Sequence, residues 1–231
     1  MDAVEFYSGV ATEFHSSYQK DANRHERVRV FDDFLNRYAA GASFAYDMGC
    51  GSGVLACELA GRGIETVGID GAPGMLAIAE RTAREHGLSN LHFRQQVLPI
   101  ADTRGFRQAD IIISSSAIEY LNSIPEALRA LRNLLKEGGV VVFSVSNRDS
   151  ISRKVARWIY HLTGRPQYLG FSRHPMDAKD IEAALSVSGL TYLEHAYFAR
   201  ADRFNRFLGL LLPPRLSSNM IIVAARKETQ I

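Results

Sequence analysis

Ala45-Tyr46-Asp47-Met48-Gly49-Cys50-Gly51-Ser52-Gly53 leaves an apolar segment and enters a helical pattern. Glycines at 49, 51 and 53 let the backbone turn tightly and approach a ligand with no side chain between. The helix that follows offers free N–H groups and the positive end of its dipole to an anionic group. The next apolar run, 65–69, ends at Asp70, 21 residues after Gly49. A carboxylate there can accept both hydroxyl protons of a ribose. Loop and carboxylate together predict an adenosine-containing ligand.

Outward from this stretch, apolar runs alternate with helical patterns. Strands are predicted over 44–48, 65–69, 91–95, 110–114, 140–145, 190–198 and 220–224, most of them rich in Val, Ile or aromatics. Helices are predicted over 54–61, 74–86, 124–135 and 177–188, the last opened by Met176-Asp177 and closed before Gly189. Repeated strand–helix–strand order calls for a parallel sheet covered on both faces, and right-handed crossovers make it a doubly wound α/β fold. We expect 1–231 to be a single domain. Residues 1–40, 147–175 and 199–218 fall outside the minimal pattern. In an open α/β sheet the ligand sits beyond the carboxyl ends of the strands, so 1–40 is expected to form a helical lid and the other two segments to serve the substrate.

Composition sets the boundaries. The chain has 231 residues, 46% hydrophobic and 23% charged, which suits a folded globular protein. Its 27 basic and 25 acidic residues leave a net charge of +2, which argues against a nucleic-acid coat. Stretches without charge or histidine are short, 138–147 and 216–225 among them at ten residues each. A spanning helix needs about 20, so none is predicted. The opening MDAVEFYSGV carries Asp2 and Glu5 and does not resemble a secretory signal. Cys50 and Cys57 have no Cys/His cluster around them, so reduced thiols in a cytoplasmic protein and no metal are expected.

Two ligand classes fit the glycine loop. Gly51-Ser52-Gly53-Val54-Leu55-Ala56 satisfies the dinucleotide pattern G-x-G-x-x-G/A, as in a nicotinamide-dependent oxidoreductase. The strand already ends at Asp47, however, where an acid would repel a pyrophosphate. An Asp there suits a cationic ammonium or sulfonium.

Asp47-Met48-Gly49-Cys50-Gly51-Ser52-Gly53 resembles the D-x-G-x-G-x-G signature of class I S-adenosylmethionine-dependent methyltransferases. The resemblance continues through Val67-Gly68-Ile69-Asp70-Gly71-Ala72-Pro73-Gly74-Met75-Leu76 and through 109–121. It extends to Leu134-Leu135-Lys136-Glu137-Gly138-Gly139, in family order and spacing over 44–145. It implies a mostly parallel, seven-stranded Rossmann-like sheet with an antiparallel last strand, here 220–224. It also implies S-adenosylmethionine (SAM) held by Asp47, Gly49, Gly51, Gly53, Asp70 and Ser115.

The pattern is most similar to the small-molecule branch that includes the ubiquinone-pathway and magnesium-protoporphyrin O-methyltransferases. There a basic residue of the N-terminal helix holds the methionine carboxylate. Arg29, eighteen residues before Asp47, stands at the matching distance, with Arg24 as the alternative. Adenine falls to Gln96 and the backbone of Val97, because Arg94-Gln95-Gln96-Val97-Leu98 lacks the acidic residue the family often carries. The implied activity is methyl transfer to a small, hydrophobic acceptor, with oxygen favoured. A non-catalytic SAM-binding protein remains the alternative within the same fold.

Methyl transfer from a sulfonium is an in-line displacement that rests on positioning, and a hydroxyl acceptor also needs somewhere to leave its proton. His174, in the loop before the 177–188 helix, His15, and Tyr120 beside Glu119 are the candidates, with His25 and His161 behind them. Ile151, Val155, Trp158, Ile159 and Leu162 form one stripe of an amphipathic helix, with Arg153, Lys154, Arg157 and His161 elsewhere around it. Phe204, Phe207, Leu208 and Leu211 repeat the theme among Arg200, Arg203 and Arg206. The stripes either pack down as a lid, with Trp158 and Phe207 over the acceptor, or form a greasy, cation-rimmed pocket or a shallow membrane-facing surface. The partners expected are a small-molecule acceptor and a peripheral membrane contact, with no nucleic acid. The oligomeric state is left open.

Overall fold

The computed structural model describes residues 3–100, 102–165, 167–200 and 202–228, without the side chains of 18–20. The parts of the expected lid and accessory segments at 1–2, 166 and 201 lie outside the described residues. Seven strands form one sheet: β1 (Phe44–Met48), β2 (Glu65–Asp70), β3 (Leu91–Gln95), β4 (Ala109–Ser115), β5 (Leu135–Ser146), β6 (Leu190–Phe198) and β7 (Met220–Lys227). Their order is β3-β2-β1-β4-β5-β7-β6. Neighbours from β3 to β5 pair in parallel, and β7 runs antiparallel between β5 and β6. This is the mixed seven-stranded Rossmann-like sheet the resemblance implied.

The sheet is covered on both faces, and the period of two decides which residue serves which face. Ile112 of β4 packs with Met48, Leu128, Leu131 and Phe143 on one side. Its neighbours Ile111 and Ile113 pack with Phe31, Phe34, Leu35 and Leu59 on the other. Burying each such side chain contributes about 1.5–3 kcal/mol. The helices are α1 (Ala3–Gly9), α2 (Ala11–Lys20), α3 (Ala22–Tyr38), α4 (Val54–Gly61), α5 (Pro73–Glu85), α6 (Ile124–Leu134), α7 (Ile151–Thr163), α8 (Ala178–Val187), α9 (Arg203–Leu211) and α10 (Pro214–Ser217).

Capping places the helices. Asp177 and Asp180 form a reciprocal capping box at the start of α8, and Gly189 follows its end at φ +69°. Ser150 accepts from the Arg153 N–H at the start of α7, and Gly164 closes it in the left-handed region. One boundary moves. β5 begins at Leu135 rather than 140, because Leu135 pairs with Ala109 across a register shift.

Candidate active site

Beyond the carboxyl ends of β1, β2 and β4 lies a cavity of about 1350 Å³, walled also by α1, α2, α3, α7 and α9. Asp47, the next-to-last residue of β1, lies at its floor, 1% exposed, and among the described residues neither carboxylate oxygen has a hydrogen-bond partner. Burial pushes its carboxyl up to about 8, the neighbouring Asp70 adds to the rise, and the Ala56 N–H, outside hydrogen-bond geometry, opposes it. Asp70 ends β2 and accepts from the Gly51 and Ala72 N–H groups, each at 2.8 Å. Burial raises its carboxyl, against the pull of the Ala72, Gly51 and Gly71 amides.

The glycines of the loop divide their work. Gly51 has φ +53°, and a Cβ there would point into the cavity, its nearest neighbour the Phe14 ring at 3.8 Å. Gly53 differs. A Cβ there would meet Ala79 Cβ at 2.8 Å, so it serves the packing of α4 on α5 and does not line the cavity. Gly49 lines the cavity and also lets the Ala117 turn approach, since a Cβ would lie 2.2 Å from Ala117 Cβ.

α3 brings Arg27 and Arg24 to the cavity and not Arg29, which corrects the expected place of Arg29. Arg27 lines the cavity and donates to Ser115 Oγ at 2.8 Å and Ser116 Oγ at 2.7 Å. Arg29 is exposed and away from the cavity wall. Two helical residues two apart point about 200° away from each other, so both cannot face one ligand. A signal for Arg27 was present in the sequence: it extends the buried stripe Phe31, Phe34, Leu35 one turn toward the N-terminus. Arg24, the alternative, also lines the cavity, its guanidinium 4.0 Å from the Phe14 ring centroid. Ser115 is on the wall. Its neighbour Ser116 takes φ +54°, a conformation that leaves its N–H 3.1 Å from Ser144 Oγ.

At the far side of Asp70, Val97, Leu98 and Pro99 wall the cavity with Ala72 and Met75. Gln96 is not on that wall, which corrects its expected place. Its N–H donates to Asp70 O at 3.0 Å, and the ladder so extended aims the chain at Val97 instead.

No histidine lines the cavity among the described residues, which removes His174 and His15 as groups at its wall. On α2 the neighbouring Phe14 takes the cavity side, turned about 100° from His15. In the loop before α8, Ser172 and Arg173 line the cavity and His174 follows them away from it. Tyr120 is at the wall, its hydroxyl 2.8 Å from that of Tyr7. Burial, with Glu119 close by, holds the Tyr120 hydroxyl well above the ordinary phenol value. It therefore stays protonated at neutral pH and serves as a hydrogen-bonding group rather than a base. Beside it Glu119 is a wall residue only 2% exposed, and its Oε2 accepts from the Ser146 N–H at 2.9 Å and the Ser172 hydroxyl at 3.3 Å. This carboxylate is the acceptor side's candidate for a proton.

The N-terminal helices close over both ends. Ser8 Oγ of α1 accepts from the Gly74 N–H at 3.0 Å, and Tyr7 and Phe6 pack against Tyr120 and Phe171, with ring centroids 5.8 and 5.3 Å apart. The accessory helices face the cavity with unexpected residues. α7 presents Ser152, Arg153 and Ala156, and α9 presents Asn205. Trp158 and Phe207 turn outward, 65% and 58% exposed, which corrects their expected position over the acceptor. On α7 the cavity side is the 152–156 face, so the apolar stripe lies around the helix from it.

A family model described as a methyltransferase domain matches residues 23–195, about three quarters of the chain. The chain is 31% identical over 156 residues to a ubiquinone biosynthesis O-methyltransferase of Acinetobacter baylyi, covering 64% of this chain and 66% of that one. It is 34% identical over 110 residues to the protein of that name from Ruegeria pomeroyi, covering 48% and 44%. The chain thus spans just under two thirds of the first relative's length and less than half of the second's. Among solved structures, magnesium protoporphyrin IX methyltransferase from Synechocystis superposes with a TM-score of 0.72 at 19% identity, over 97% of this chain and 98% of that one. The [4+2]-cyclase SpnF gives 0.71 at 18% identity, over 98% and 95%. By the extent of the family match, the chain belongs to the methyltransferase domain family.

Proposed function

We propose that this chain is a SAM-dependent methyltransferase that acts on an oxygen of a small, hydrophobic molecule. The observation that carries the reading is Asp47, a buried carboxylate with two unpartnered oxygens on the floor of the cavity. A cationic ammonium would stabilise its charged form, whereas the pyrophosphate of a nicotinamide dinucleotide would oppose that form and gain no counter-charge from it. The rest of the wall fits the same cofactor. Arg27, Ser115 and Ser116 would take its carboxylate, Asp70 its ribose, and Val97, Leu98 and Met75 the adenine face, while Gly51 leaves the chain room. When bound, SAM supplies an electrophilic methyl on sulfur.

The chain's own part is to position the acceptor and exclude water. Phe6, Tyr7, Tyr120 and Phe171 hold the acceptor, and the Tyr7–Tyr120 hydroxyl pair orients its oxygen. Glu119 Oε1 is placed to take the hydroxyl proton, because Oε2 is occupied by Ser146 and Ser172. Oxygen as the atom methylated is supported by the names of the sequence relatives. The test is transfer of labelled methyl from SAM to a panel of phenolic and enolic acceptors. Binding of SAM with no transfer to any acceptor would favour a non-catalytic or non-methylating role.

We also infer that 1–231 works as one cytoplasmic domain, with 1–40 as lid and 147–175 and 199–218 as acceptor segments. No helix among the described residues is long and apolar enough to cross a membrane. A peripheral contact with an anionic membrane surface is supported by the outer faces of α7 and α9. Val155, Trp158, Ile159, Leu162, Phe204, Phe207, Leu210 and Leu211 are exposed there, beside exposed Lys154, Arg165, Arg203 and Arg206. α10 packs against both helices and joins the faces. A bilayer would bury the apolar side chains and pair the cations with phosphate. A symmetric dimer through this face would set like charges against each other.

A further inference from the structure

Two polar atoms that the accessory helices bring to the cavity are buried without a partner among the described residues: Arg153 Nε on α7 and Asn205 Oδ1 on α9. Arg153 is the more demanding of the two. Its Nη2 approaches the Met220 sulfur at 3.1 Å, and a thioether is a weak acceptor. No ion pair among the described residues involves it. Arg153 as a whole is half-buried, and a guanidinium keeps its proton, so the buried Nε edge that faces the cavity calls for an anion. The other arginines of the cavity are engaged: Arg27 with Ser115 and Ser116, Arg173 with Asn122, and Arg24 against Phe14. Arg153 is the cation kept for something else.

Its surroundings say what kind of anion. The guanidinium sits against Met220, which pairs with Ser146, and the Ser146 N–H binds Glu119, so it lies on the acceptor side rather than in the glycine loop; its charge also opposes the rise at the Tyr120 hydroxyl. The wall there is aromatic, with Phe6, Tyr7, Tyr120, Tyr168 and Phe171. Such a wall takes a flat ring by stacking and edge contacts. Glu119 on the same wall repels a second carboxylate placed against it, which leaves Arg153 as the anion's place. The planar guanidinium fork matches a carboxylate bidentately. Asn205 Oδ1 is an acceptor, because its Nδ2 already donates to Asp202 Oδ2 at 2.6 Å. It therefore complements a hydroxyl or N–H on the same ligand and not the anion.

We propose that Arg153 binds the carboxylate of a planar aromatic acceptor and sets the enzyme's preference for acids over neutral analogues. The proposal rests on the methyltransferase reading of the cavity. The experiment compares the wild type with Arg153→Met and Arg153→Lys, each checked for folding by circular dichroism and thermal melting. SAM affinity is measured by calorimetry. Binding and labelled-methyl transfer are measured with 3,4-dihydroxybenzoate and 3,4-dihydroxybenzamide, which match in shape and differ in charge. The wild type is expected to prefer the acid by about tenfold or more, the scale of one charged hydrogen-bonded contact. Arg153→Met is expected to lose that preference with SAM affinity within about twofold, and Arg153→Lys to keep part of it as a point charge. The proposal is overturned if the wild type shows no preference for the acid or binds neither compound, or if the preference survives in Arg153→Met. A large loss of SAM affinity in Arg153→Met also overturns it, by giving the guanidinium to the cofactor. A wild type that fails to bind SAM breaks the methyltransferase reading instead, and this distinguishes the two failures.

Discussion

The two ends of the cavity are built on different terms. At the Asp47–Asp70 end the contacts come from strand ends and a glycine loop, and Asp70 is pinned by two backbone amides at 2.8 Å. At the Tyr120–Arg153 end the wall is made of side chains from α1, α7 and α9, from the Glu119–Tyr120 turn and from the segment after α7 that carries Tyr168 and Phe171, and α7 buries none of its own residues. Backbone held by a seven-stranded sheet cannot adjust to a changed ligand, whereas side chains on loosely packed helices can. Substitutions at the first end should therefore abolish or sharply weaken cofactor binding, and those at the second should change which acceptor is used.

The largest effect breaks the first end outright. Gly51→Val should eliminate SAM binding in calorimetry, since its side chain would fill ligand space that only Phe14 borders. Its left-handed backbone adds about 1–2 kcal/mol of strain, so near-native circular dichroism must accompany the result. Binding at wild-type affinity would place the cofactor elsewhere. Next, Glu119→Gln should lower kcat by about 10²–10⁴ with SAM affinity kept, if Glu119 takes the acceptor's proton. Unchanged turnover would leave positioning alone as the source of rate. Third, Arg27→Ala should weaken SAM by about 1.5–3 kcal/mol, the worth of a charged hydrogen bond, while Arg29→Ala should change nothing measurable. The reverse order would restore Arg29 and overturn the register of α3.

The smallest effect concerns the outer surface. Trp158 is the chain's single tryptophan, so its emission isolates α7. Vesicles rich in phosphatidylglycerol should shift that emission to the blue at low salt, and Phe207→Ser with Leu210→Ser should remove the shift without touching turnover of a soluble acceptor. No shift with anionic vesicles, or a shift with protein concentration alone, would exclude the membrane contact.

These differences also explain which parts were readable in advance. The loop Asp47–Gly53 and Asp70 could be read because their roles follow from backbone conformation and the place where a strand stops. Ile124, Ala127, Leu128, Leu131 and Leu134 of α6 show an apolar stripe and all are buried. The stripe of α7 has the same period and none of its residues is buried. Periodicity identifies an apolar face and is silent on what covers it. The histidines failed for a related reason: a base must lie within reach in space, and the turns of α2 and of the 170–175 loop send Phe14 and Ser172 to the cavity instead. Arg27 was within reach of a sequence reading that followed the buried stripe of α3 rather than the distance to Asp47.

The claim on which the cofactor end depends is that Asp47 waits for a cation. Its carboxyl stands near 8 in the folded chain against an ordinary 3.8. The folded value is the raised one, so the ligand-free protein should lose stability as pH rises through that interval and level off above it. A bound ammonium would return Asp47 to its charged form and expel the proton. Calorimetric titration of SAM at pH 7, in two buffers of different ionisation enthalpy, should report release of most of one proton per SAM. The release should vanish in Asp47→Asn and fade above about pH 9. Binding with no proton exchanged at pH 7, or no binding, would contradict the account.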